Sequence, residues 1–288
     1  MGIETLEGAA MSASRCLSFP LAFAVAASLL VGSSLAGEPA NRATILTVVG
    51  APGNGEYGEQ FQTWANRWQA AAQQAGAKSV QIGYDPESKT SDKDRLQKLL
   101  SAQASETTPP LWLILIGHGT FDGKSAKFNL RGPDVSADEL SEWLEPLEQP
   151  TVVVNCASSS GPFINKLSKK DRVVITAAKS GFELNFARFG DYLSAAAVDT
   201  AADLDKDGQA SLLEAFLLAS ARVREFYEQE ARLPTEQALI DDNGDGRGTP
   251  ATWFRGIHPV RQAKQGATLD GSHAHQFLLI PNESERNM

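Results

Sequence analysis

The chain has 288 residues, 42% of them hydrophobic and 21% charged. This is the balance of a globular protein that can bury a core, and it excludes a disordered or fibrous chain. A net charge of −9 excludes nucleic acid as the main partner, since phosphate-rich ligands need a basic face; it suits solubility or cation binding.

The first segment is a targeting signal and not part of the fold. Arg15 precedes the apolar run Leu17–Val31, and Ser34-Leu35-Ala36 supplies the small residues a signal peptidase reads. Residues 1–36 therefore form a signal peptide cleaved after Ala36, and the protein is exported, periplasmic or extracellular. Met11 is an alternative start, because Glu4 and Glu7 put negative charge where positive is normal. No later stretch can span a bilayer, so no stable membrane span remains after cleavage. Cleavage also removes Cys16 and leaves Cys156 as the sole thiol. A lone thiol cannot form an internal disulfide, so it is a buried bystander, an intermolecular link or a reactive group.

Along the mature chain, Thr44–Gly50 reads as a strand running into a Gly/Pro/Asn loop at 50–58. A helix follows over 59–75, with Phe61, Trp64, Ala65, Trp68 and Ala71 on one stripe and Gly76 ending it. Ser79–Tyr84 is a second strand, Ser91 caps a helix to about 105, and Pro109-Pro110 precedes the apolar strand Leu111–Ile116. Asp-Gly turn chemistry in 120–133 predicts a small hairpin. Ser136-x-x-Glu139 is a capping box opening a helix, and Thr151–Asn155 is another buried strand. A short helix over 163–167 and a strand over 172–178 complete the β/α alternation, so a mostly parallel, helix-covered sheet is expected. The run Gln276–Ile280 is expected to be an edge strand completing that sheet.

Two clusters of oxygen ligands come late in the chain. A helix from about Tyr192 leads into Asp203, Asp205, Asp207, Gly208, Gln209, Ser211 and Glu214. These residues match the twelve-position calcium loop: side-chain oxygens at one, three, five and nine, glycine at six, a backbone carbonyl at seven and glutamate at twelve. Calcium (Ca2+) is the expected cofactor, within an EF-hand-like insert over 191–230. Asp241, Asn243 and Asp245 begin a second such loop over 241–252, but its twelfth position is Thr252, so it is either an incomplete metal site or a plain turn. His273 and His275 stand alone and are better read as surface or packing residues.

The candidate chemistry lies where two strands end. Leu111–Ile116 runs into Gly117-His118-Gly119, and Thr151–Asn155 runs into Cys156. Neighbouring parallel strands are about 4.8 Å apart, so both ends meet at the edge where open α/β sheets bind ligands. A thiolate nucleophile at Cys156 and an imidazole at His118 would suit acyl transfer. The amides of Gly119 and Cys156 would be oxyanion donors.

An apolar strand ending in His118-Gly119, followed by one ending in Asn155-Cys156, resembles the caspase-like cysteine peptidases, closest to bacterial legumain-like members. Residues 174–183 look like the strand and loop shaping their specificity pocket. The resemblance implies an α/β/α sandwich over 43–281, hydrolysis of protein or peptide substrates by a Cys-His dyad, and the Gly119 and Cys156 amides as oxyanion donors. Ser180, Glu183 and Asp191 are candidate substrate contacts, the two acids for a basic side chain. The chain departs from the family in placing Asn155, not alanine, before the cysteine and Ala157-Ser-Ser-Ser-Gly161 after it. Three functions are therefore weighed: a secreted cysteine endopeptidase stabilised or activated by calcium, a catalytically inactive scaffold that binds protein in a calcium-dependent way, and peptide ligation by the same residues as the first. The sequence is silent on oligomeric state.

Overall fold

Strand and helix alternate along the first half of the chain because β-branched apolar runs are separated by segments carrying helix caps. In order these are β1 (Thr44–Val49), α1 (Gly55–Gln74), β2 (Lys78–Ile82), α2 (Asp92–Gln103), β3 (Leu111–Ile116), β4 (Gly119–Phe121), β5 (Ala126–Phe128), β6 (Val135–Ser136), α3 (Ala137–Leu144), β7 (Thr151–Asn155), α4 (Pro162–Leu167) and β8 (Arg172–Thr176). There follow α5 (Phe189–Ala196), a 3-10 turn (Thr200–Ala202), β9 (Ala210–Ser211), α6 (Leu212–Gln229), β10 (Leu239–Asp241), β11 (Thr249–Pro250), β12 (Phe254–Arg255), β13 (His258–Pro259) and β14 (Leu278–Ile280). The computed structural model describes residues 43–85, 89–104, 109–183 and 185–280. The expected signal peptide lies outside the described residues.

The main sheet has the order β11-β10-β8-β7-β3-β1-β2. Its strands β2, β1, β3, β7 and β8 are parallel, and β10 and β11 close one end antiparallel. β1, β3, β7 and β8 are buried along their whole length, as strands covered on both faces must be. One face packs on α1, α5 and α6 through Trp64, Trp68, Leu193 and Phe216; the other packs on α2, α3 and α4 through Leu96, Leu140 and Ile164. The α/β/α sandwich with a mostly parallel central sheet is thus present.

Local capping explains where helices start. Asn54 accepts a hydrogen bond from the Tyr57 amide, which winds the loop residues Gly55–Gly58 into α1 and starts that helix earlier than its apolar stripe. Ser136 and Glu139 form a reciprocal capping box on α3, and Ser211 and Glu214 form another on α6.

Two expectations are corrected. The C-terminal run does not complete the main sheet; β14 pairs with β9 in a separate two-stranded ladder, because the extended backbone at 210–211 offers a free edge and Leu212 N donates to Phe277 O at 2.8 Å. The main sheet is finished instead by β10 and β11, on either side of the Asp/Asn/Gly loop. The helix leading to Asp203 is also broken: α5 ends at Ala196, and Asp199 caps the 3-10 turn through Ala201 N while pairing with Arg222 at 2.7 Å. Among the described residues no helix is long and apolar enough to cross a membrane.

Candidate functional site

The register Ile114↔Val154 and Leu115↔Asn155 brings the carboxyl ends of β3 and β7 side by side. His118 is half-buried there, its ring edge-on to Tyr57 at 4.8 Å and Phe61 at 5.2 Å. Its Nε2 lies 3.2 Å from the Pro52 carbonyl. A carbonyl can only accept, so Nε2 carries the proton and Nδ1 presents its lone pair. His118 is held as a general base would be, and the holder comes from the Gly/Pro/Asn loop.

Cys156 is placed differently. It is 2% exposed and belongs to the core under α1 and α5. A Cβ added at Gly190 of α5 would lie 2.8 Å from Cys156 Cβ and 2.6 Å from the Trp64 ring. Burial pushes its thiol up to about 12, because the thiolate would have no water and no cation beside it. No hydrogen bond joins Cys156 to His118 among the described residues. The Cys156 amide, expected as an oxyanion donor, donates to Leu115 O at 2.9 Å as the last rung of the sheet.

Ala157 lies beside Gly119 in the cluster on the other face of the sheet, whereas the His118 ring packs on Tyr57, Phe61 and Phe186, in the α1-side cluster that also holds Cys156. A Cβ at Gly119 would stand 3.1 Å from both Ala157 Cβ and the Lys127 carbonyl and 3.5 Å from Ser159 Cβ, so the position is tight for any side chain. The turn carrying these residues is fixed from both ends. Asn155 Oδ1 accepts from Ala157 N at 3.0 Å, Ser160 Oγ accepts from Ala178 N at 3.1 Å, and Gly161 fits against the Lys179–Ser180 backbone where a side chain would collide.

The three candidate substrate contacts separate. Asp191 pairs with Arg67 at 2.6 Å, both side chains part-exposed, so a basic ligand there would compete with Arg67. Ser180 Oγ accepts from Phe182 N at 3.1 Å, which orders its own loop. Glu183 lines a cavity of about 750 Å³ shared with Lys179, Phe189, Arg224, Glu236 and Thr252. Burial raises the Glu183 carboxyl to about 7, opposed by Lys179, and its Oε2 has no partner. Glu236 receives the amides of Arg188 and Phe189, so it caps α5 from a distant segment. Beside the same edge, Phe121 and Phe182 meet edge-to-face at 4.9 Å, with Phe182 70% exposed.

In the first acidic loop, ligand oxygens of Asp203, Asp205 and Glu214 lie within 4.8 Å of one another. Asp205 accepts from Asp207 N, Asp207 from Gln209 N and Asp203 from Gly208 N, while Lys206 and Gly208 take left-handed backbone. Ser211 Oγ and Glu214 Oε2 are 2.7 Å apart. Asp203 Oδ1 and Gln209 Oε1 are buried without partners. These hard oxygens fit calcium, which takes 6–8 of them at roughly 2.3–2.6 Å. The lone-histidine reading missed His275, whose Nδ1 is 3.1 Å from Ser211 Oγ and whose Nε2 is 3.9 Å from Asp205 Oδ2.

Pro52 was also missed, because a backbone carbonyl leaves no residue signal.

No family model matches the chain, and no curated protein matches it. Among solved structures it is similar to the Drosophila initiator caspase Dronc, with a TM-score of 0.46 and 15% identity over 72% of this chain and 82% of that one. It is also similar to caspase-1 from Spodoptera frugiperda, with a TM-score of 0.44 and 10% identity over 70% and 86%. Raptor from Chaetomium thermophilum gives a TM-score of 0.37 and 10% identity over 55% of this chain and 17% of that one. Likeness at this level says nothing of activity, which has to be read from the site itself.

Proposed function

We propose that this protein is a calcium-dependent protein-binding module on a caspase-like scaffold, in which Cys156 is a core residue and not a nucleophile. The observation that carries this is the burial of Cys156, 2% exposed and packed under Gly190 of α5, where no substrate carbonyl reaches the thiol. An oriented base beside a thiol that substrate cannot reach does not form an acyl-enzyme. The exposed Phe182, its partner Phe121 and the nearby cavity offer apolar contact of the kind that binds peptide. Calcium at Asp203, Asp205, Asp207, Gln209, Ser211 and Glu214 would supply only structure and charge neutralisation, ordering the segment that leads into α6. His275 would sit beside that ion as a positioning group for Ser211.

The test offers the exported form a peptide library with Arg, Lys, Asn or Asp before the scissile bond, with calcium and with chelator, and scores cleavage and binding in parallel. The expected result is no cleavage and chelator-sensitive binding. Cleavage that disappears in Cys156→Ala overturns the proposal.

A second reading, a calcium-dependent cysteine endopeptidase using Cys156 and His118 with the Gly119 amide, is favoured by one observation: Pro52 fixes the His118 ring with Nδ1 as acceptor. It would require the first turn of α5, with Gly190, to lift off Cys156 when substrate binds.

A further inference from the structure

We propose that the loop joining β10 to β11 is a second calcium site, built from Asp241, Asn243, Asp245 and the Arg247 carbonyl. It goes beyond the binding function above and does not depend on it. β10 runs antiparallel to β8, with Asp241 opposite Val174, so this loop lies at the other edge of the sheet from His118.

The loop repeats the backbone of the first. Asn243 Oδ1 accepts from Asp245 N and Asp245 Oδ1 from Arg247 N, both at 2.8 Å, as the third and fifth positions do in the loop beginning at Asp203. Gly244 and Gly246 take left-handed backbone where Lys206 and Gly208 do. Geometry of this kind also occurs in plain turns, and what singles out this loop is its unpartnered charge. Asp241 is 0% exposed; its Oδ1 accepts from Gly244 N at 3.1 Å, the Ser168 hydroxyl and the Gly246 amide lie against the carboxylate, and Oδ2 makes no hydrogen bond within the geometric limits of one. Asp245 Oδ2 is likewise buried without a donor. The two carboxylates are close enough to repel.

The surrounding residues do not cancel this charge. Gly244 packs on the backbone of Lys169 and Lys170, and Lys169 Nζ turns away to the Glu145 carbonyl at 2.8 Å. The Ser168 hydroxyl, beside Asp241, is neutral. The adjacent acids show what satisfied carboxylates look like here: Asp242 receives the amides of Gly271, His273 and Ala274, and Asp270 those of Asp242 and Asn243. A divalent cation with hard oxygen preference supplies the missing charge, and the open carbonyl-containing loop suits calcium better than the stricter octahedron of magnesium. Thr252, at the twelfth position, lines the cavity instead, so water would complete the shell and binding would be weaker than at the first loop.

Calorimetric titration of the whole exported chain with CaCl2 decides the matter, using wild type, Glu214→Gln and Asp245→Asn. Wild type should bind two ions, Glu214→Gln should keep the weaker one and Asp245→Asn the tighter one. If the first loop binds nothing, wild type and Glu214→Gln each bind one ion, still lost in Asp245→Asn, and the second site stands. Equal ion counts in wild type and Asp245→Asn overturn it. Asp241→Asn gives a readout independent of titration: its melting temperature without calcium should equal or exceed that of wild type, and its calcium-induced rise should be smaller. An unchanged rise counts against the site.

Discussion

Alkylation of Cys156 tests the central assignment most directly. In the folded chain burial moves the thiol from an ordinary value of 9.0 to about 12, which lowers the thiolate population about a thousandfold at neutral pH. Iodoacetamide attacks the thiolate, so labelling of the native protein should be at least about a thousandfold slower than of the urea-unfolded protein and should proceed through transient opening. The same placement sets stability. Cys156→Ser buries a hydroxyl against Trp64 and Gly190 without a partner and should cost about 1–3 kcal/mol, whereas Cys156→Ala should cost about 1 kcal/mol. Because the folded value is raised, the neutral thiol's contribution is fully present below pH 9 and is lost as pH rises toward 12. Mass spectrometry after timed labelling measures the rate, and urea melts measure the rest. Stoichiometric labelling of native protein within minutes at neutral pH would refute this account of Cys156 and return the enzyme reading to the front.

Other outcomes follow from the same geometry. Gly190→Ala drives a methyl into Trp64 and Cys156 and should destabilise by about 1–3 kcal/mol in thermal melts; an unchanged Tm would mean α5 is not seated as described. Glu139 is held at about 2 by Lys93 and the Ser136 cap, so its contribution is present above the ordinary carboxylate value and lost as pH falls toward 2. With Glu139 40% exposed, Glu139→Gln should cost no more than about 1 kcal/mol and should flatten acid unfolding over that window. Glu214→Gln should abolish the tighter calcium-binding event, and retained tight binding would remove the first loop as a site.

Most of the architecture was legible because it rests on local signals. Buried strands announce themselves as β-branched runs, and the caps at Ser91 and Ser136 are read from residues three apart. Where the reading missed, the deciding contact was remote in sequence. The Gln276–Ile280 run has the pattern of a strand, but pattern cannot say which strand it joins, and β9 captured it. Nothing near Asp191 in the chain announces its ion pair with Arg67 of α1.

By itself the sequence determined the α/β alternation, the arrival of His118 and Cys156 at one sheet edge and the oxygen-rich spacing of both acidic loops, since each depends on periodicity or on neighbours along the chain. Only the tertiary structure decided which way the side chains past the strand end point. At the end of β7 one residue more or less turns a side chain to the opposite face; that step put the thiol of Cys156 under α5 and left the methyl of Ala157 beside Gly119.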